Sequence, residues 1–266
     1  MDRLLHAVLG VAVAAVPAVG WFVGDWTAGT TLLVYWFETV ASCLFVAVRI
    51  AAHQRWRPSR GHFRHRPRGG RPAARGPGFL SGYLVTTLAF SAAHGLFLAV
   101  ILVLLSRTGH AQWAAVDWRS AANGCALVLV LLAVDLAADL PRLAGWSFSG
   151  LEQLAVRSIG RVAVVHLTLV CGLFALALTD APSALFGIFV ALRTLYQLSL
   201  ALPQWEPATP PAWLSAAMNR LPQAHAGQRF EDSWARDRLA EADRRQHNDQ
   251  PWTNASRPGN PDPIAP

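Results

Sequence analysis

Residues 30–50 read Thr-Thr-Leu-Leu-Val-Tyr-Trp-Phe-Glu-Thr-Val-Ala-Ser-Cys-Leu-Phe-Val-Ala-Val-Arg-Ile. From Thr30 to Val48 the only charge is Glu38. The stretch is apolar around its whole circumference rather than along one stripe, and it has the ~20 residues that a helix needs to cross hydrocarbon. A carboxylate in such a setting is costly unless it faces polar partners inside a bundle. Glu38 therefore marks a membrane span and a candidate polar centre together.

Five further blocks have the same character: Leu4–Val23, Phe79–Leu105, Ala121–Leu140, Ser158–Leu178 and Pro182–Leu202. Pro182 suits a first helical turn, where its missing N–H is no loss. The expected fold is an all-α, polytopic transmembrane bundle of six spans. Composition agrees, with 53% hydrophobic and 15% charged residues, against about 25% charged in soluble domains. A signal peptide is the alternative for the first block, with Arg3 as its basic start and Ala12-Val13-Ala14 as its cleavage site. It is disfavoured because the apolar run continues beyond that site and the next span follows a very short turn. Cys43, Cys125 and Cys171 fall in different spans without metal-type spacing and read as small apolar residues.

Residues 51–78 break the composition. They hold Arg55, Arg57, Arg60, Arg64, Arg66, Arg68, Arg71 and Arg75 and no acid, against a net charge of +7 for the whole chain. Frequent Gly and Pro make this a flexible loop. Short basic loops stay in the cytoplasm, which gives N-in/C-in topology. The loop lacks the interleaved aromatics of a nucleic-acid module, so no nucleic acid partner is expected. Its partner is the lipid bilayer, through anionic headgroups. Homo-oligomerisation stays open.

The chain thus divides into a transmembrane domain, 1–202, and a cytoplasmic tail, 203–266, which holds ten of the 17 prolines. The tail should be mostly disordered, with a short interfacial helix over Trp213–Leu221. A second helix over Glu231–His247 has acids first and Arg244 and Arg245 last, in keeping with the helix dipole. Disorder is expected from Asn248 onward.

Counted from the expected outer ends, Glu38, His94, Asp135, His166 and Arg193 lie at depths that agree within roughly 9 Å at 1.5 Å per residue. They form the candidate polar cluster. Glu38, His94 and His166 offer the ligand types of a divalent metal site, zinc being one candidate. They are also the parts of a proton relay. Arg193 could instead neutralise Glu38 or Asp135 in a structural pair. Asp139 reads as an interfacial or structural group one turn below Asp135. Arg157 and Arg161 share a face near the inner interface and should meet headgroups or Asp139. Gly145-Trp146-Ser147-Phe148-Ser149 has serine where a nucleophile elbow needs its second glycine, and no phosphate or dinucleotide loop is present.

Three local motifs carry a resemblance: Tyr35-Trp36-Phe37-Glu38, His94-Gly95-Leu96-Phe97, and Arg161-Val162-Ala163-Val164-Val165-His166 followed by Gly172. In type, order and spacing they resemble the Tyr-Trp-x-Glu, His-Gly-x-Phe and Arg-x4-His signatures of a bacterial multi-pass membrane family, domain-of-unknown-function family 6498. The resemblance covers about residues 5–202. It implies that Glu38, His94, Arg161 and His166 are the family's polar signature, and it supplies no activity. The family's last span has a lysine and a later aspartate, where this chain has Arg193 and Gln197. The function expected is that of an integral membrane protein with a buried polar cluster. A metal site or intramembrane enzyme, a proton- or ion-coupled transporter, and a scaffold or assembly factor are the sharper alternatives.

Overall fold

The computed structural model describes residues 2–68, 78–107, 111–179, 207–220 and 229–253, with Leu192 and Leu195. Among the described residues the continuous helices, in chain order, are α1 (Asp2–Phe22), α2 (Ala28–Trp56), α3 (Arg60–Phe63), α4 (Phe79–Arg107), α5 (Ala111–Ala114), α6 (Trp118–Leu143), α7 (Phe148–Thr179), α8 (Ala212–Met218) and α9 (Phe230–Asp249). No strand occurs among the described residues. The chain forms two compact units: Met1–Trp56, Leu80–Trp146 and Gly150–Leu202 in one, and Arg57–Phe79, Ser147–Ser149 and Pro203–Pro266 in the other.

Among the described residues, Ala28–Trp56, Phe79–Leu104 and Trp118–Leu143 are long and apolar enough to cross a membrane. The first expected block yields a shorter apolar stretch, Val8–Phe22, within α1. The fifth lies in α7, whose side chains from residue 164 onward are outside the described residues. The sixth, apart from helical Leu192 and Leu195, lies outside them as well.

The expected inner loop 141–157 shrinks to 144–147, since α6 runs through Pro141 to Leu143 and α7 starts at Phe148. Likewise α2 continues to Trp56, into the stretch read as flexible loop. His53 and Arg55 in its last turn suit the negative end of the helix dipole.

Helix α2 is the central element. Its apolar window is 61% buried, against 28% for α4 and 22% for α6. Val13 and Val16 of α1, Val34 and Ala41 of α2, and Ala121, Val128 and Leu132 of α6 form one apolar cluster. The α1–α2 turn closes with the Trp26 N–H donating to Gly20 O at 3.0 Å, and Asp25 adopts a left-handed φ of 49°. The Trp26 ring then lies over Gly124 of α6, where a Cβ would come 2.5 Å from it, so the close approach requires glycine. Thr27 accepts from Thr30 N at 3.2 Å, and Thr30 Oγ1 accepts from Asp117 N at 2.8 Å. Asp117 caps α6 by accepting from Arg119 N at 3.1 Å. The Ser120 hydroxyl holds its carboxyl below the usual range.

The second unit departs from the expected flexible loop and disordered tail end. Residues 58–66 and 248–252 lie side by side. Arg60 N donates to Gln250 O at 2.8 Å, and Trp252 N to Pro58 O at 3.0 Å. Asn248 is buried and exchanges two bonds with Arg66, each 3.1 Å. Asp249 accepts from Phe148 N. The Phe148 ring packs against His62 and Phe79, with centroids 5.0 and 4.9 Å away. The two tail helices appear as expected, and Asn219 joins them by accepting from Phe230 N at 2.8 Å. Residues 248–252 are placed by polar groups that find backbone partners on residues 58–66, which composition alone does not reveal.

Candidate functional site

Two polar layers lie inside the first unit. The upper one is built by the three motifs. The Trp36 indole N–H donates to Ser91 O in α4 at 2.9 Å. A Cβ on Gly95 would lie 2.8 Å from Trp36 Nε1, so the glycine of the His-Gly-x-Phe motif is the seat of the tryptophan of the Tyr-Trp-x-Glu motif. Two residues on from Trp36, Glu38 is fully buried, and His94, next to Gly95, is buried too. From α7, Arg161 Nη1 donates to Ser42 Oγ at 3.3 Å. Just below, Tyr83 donates to Cys43 O at 3.3 Å and lies 2.9 Å from Ser158 Oγ. The motif helices α4 and α7 thus both bond to α2, on residues 36–43.

The lower layer is an ion network. Arg49 of α2 donates from Nη2 to Asp135 Oδ2 and from Nε to Asp139 Oδ2, both at 2.7 Å. Asp135 and Asp139 lie four residues apart, on one face of α6. His6 of α1 closes the set, with Nδ1 2.8 Å from Asp135 Oδ1 and Nε2 3.1 Å from Asp139 Oδ1. Arg49 and Asp139 are buried to 3% and 6% exposure.

Of the expected cluster, Glu38 and His94 sit in the upper layer and Asp135 in the lower. The side chain of His166 and the whole of Arg193 lie outside the described residues, so the Glu38/His94/His166 metal set and the Arg193 pair do too. The cation on Asp135 is Arg49. Asp139, read as interfacial or structural, is buried and bonded to Arg49 and His6, while Arg161 reaches Ser42 instead.

Sequence reasoning missed Arg49 and His6. Each sits beside the end of an apolar run, where a charge passes for an interface residue. One signal was available: Arg49 and Asp139 each lie 21 residues past the first residue of their helices. His6, Asp135 and Asp139 place ligand-type atoms within 4.8 Å of one another. The Arg49 guanidinium nevertheless stands where a cation would go, with one oxygen of each carboxylate. Cys43 and Cys125 are free thiols.

Apolar helices of spanning length, tied to one another by polar bonds in their interior, give the chain the character of a membrane protein. It belongs to a family of unknown function, DUF6498, whose profile matches residues 1–223 and so takes in α8 as well as the motif helices. No curated protein and no solved structure matches it.

Proposed function

We propose that this protein is a six-span scaffold of the bacterial inner membrane, N-in and C-in, whose intramembrane polar groups fix helix pairing rather than carry out a reaction. The observation behind this reading is where those groups end. Trp36 bonds α4, Tyr83 bonds α2 and α7, Arg161 bonds α2, and Arg49 bonds α6. Within hydrocarbon such bonds specify which helix packs on which, though each contributes only about 0.6 kcal/mol on average. The basic loop lies on the cytoplasmic side, where exposed Arg57, Arg64 and Arg68 meet anionic headgroups.

A second reading, a proton- or ion-coupled transporter, is favoured by one observation: Glu38 is completely buried within an apolar helix. Proteoliposomes separate the two. For a scaffold, vesicles holding the wild-type chain keep an imposed pH gradient as long as empty vesicles. Gly95→Val lowers the melting temperature of the detergent-solubilised protein by forcing Trp36 away. Loss of the gradient with wild type, but not with Glu38→Gln, would replace the scaffold with the transporter.

A further inference from the structure

Among the described residues, His6 is the ionisable side chain that joins helix α1 to α6, and its geometry carries more than a contact. A neutral imidazole has one N–H and one lone pair, and an ionised carboxylate only accepts. Both ring nitrogens of His6 face carboxylate oxygens, Asp135 Oδ1 at 2.8 Å and Asp139 Oδ1 at 3.1 Å. A neutral ring would satisfy one of them and turn its lone pair on the other. An imidazolium satisfies both. The other oxygen of each carboxylate is occupied by Arg49 at 2.7 Å, and a guanidinium stays charged throughout the physiological range.

We propose that His6, with Asp135 and Asp139, is a proton-binding site, and that the bound proton latches α1 onto α6. The charge count supports this ligand. Among the described residues, two positive groups face two carboxylates when the proton is bound, and these four charges sum to zero. Without it, one negative charge is left uncompensated in a site where the side chains of Arg49 and Asp139 are only 4% and 7% exposed. A divalent ion in its place would leave excess positive charge or would have to expel the guanidinium. The side chains of His6 and Asp135 are only partly covered, at 32% and 24% exposure. Among the described residues, the charged groups facing the ring are those of α6, Asp135 and Asp139. Arg49 of α2 holds their far oxygens.

The consequence is selective. Arg49 joins α2 to α6 at any physiological pH, whereas α1 joins α6 fully only while the proton is bound. Loss of the proton would leave one carboxylate facing the ring's lone pair, which weakens the α1–α6 junction and leaves the α2–α6 junction intact.

The test is nitrogen NMR of the full chain in nanodiscs with 15N-labelled histidine rings and 13C-labelled aspartate carboxyls. In the wild type, one ring whose two nitrogens both couple to aspartate carboxyl carbon identifies His6 without any variant. At pH 7 both of its nitrogens should resonate at the protonated position. Asp139→Asn should move one of them to the lone-pair position. A His6 ring with one bare nitrogen in the wild type at pH 7 would overturn the proposal, as would the absence of any ring coupled to aspartate through both nitrogens.

Discussion

Arg49 engages Asp135 through Nη2 and Asp139 through Nε, each at 2.7 Å, so one planar fork fixes two carboxylates at once. Arg49→Ala leaves both acids facing each other in the helix interior. Removing one member of a buried ion network typically costs about 3–5 kcal/mol. Thermal unfolding in detergent should register a loss of that order for Arg49→Ala. Arg49→Lys should recover only part of it, because a point charge cannot reproduce the fork. Full recovery by lysine would show that charge alone matters there. Glu38, His94 and Asp135 were legible in the sequence because a charge within an apolar run is conspicuous. Arg49 and His6 were not, because the same charge at the very end of an apolar block looks like an interface residue.

At the scale of elements, α9 is held by its own charges and by its bonds to residues 58–66. Glu241 accepts from Arg244 at 2.8 Å and from Arg245 at 2.7 Å. The Arg244 hydrogen bond, foremost among these interactions, lowers its carboxyl from 4.5 to about 2. A depressed carboxyl contributes stability that is present above its ordinary range and is lost as pH falls through the lowered value. The helical NMR signals of residues 230–249 should therefore weaken as pH drops from 4.5 towards about 2. Glu241→Gln should already show the weakened state at neutral pH and should lose less helical signal than wild type over that window, the remainder coming from acids such as Glu231. The acid-first, base-last order of this helix was visible in sequence. Its partner was not, because Asn248 and Arg66 meet through backbone and amide groups that every composition offers.

For the whole molecule, the loop and the tail end stand or fall together. Deleting residues 203–266 removes Asn248, Asp249, Gln250 and Trp252 from their bonds to Arg66, Phe148, Arg60 and Pro58. Trypsin should then cut after Arg60 and Arg64 faster than in the intact chain, by about tenfold for each 1.4 kcal/mol of local stability lost. Equal cutting rates would mean that the tail protects nothing. By itself the sequence determined that this is an all-helical chain built on apolar stretches of spanning length, with acids inside them. That much follows from hydrophobicity and length, which are sums over neighbouring residues. Only the tertiary structure decided which charges meet, that Trp36 rests on Gly95, and that His6 and Arg49 share two carboxylates. Those outcomes depend on the rotation and depth of helices far apart in the chain, and no local property of a segment encodes them.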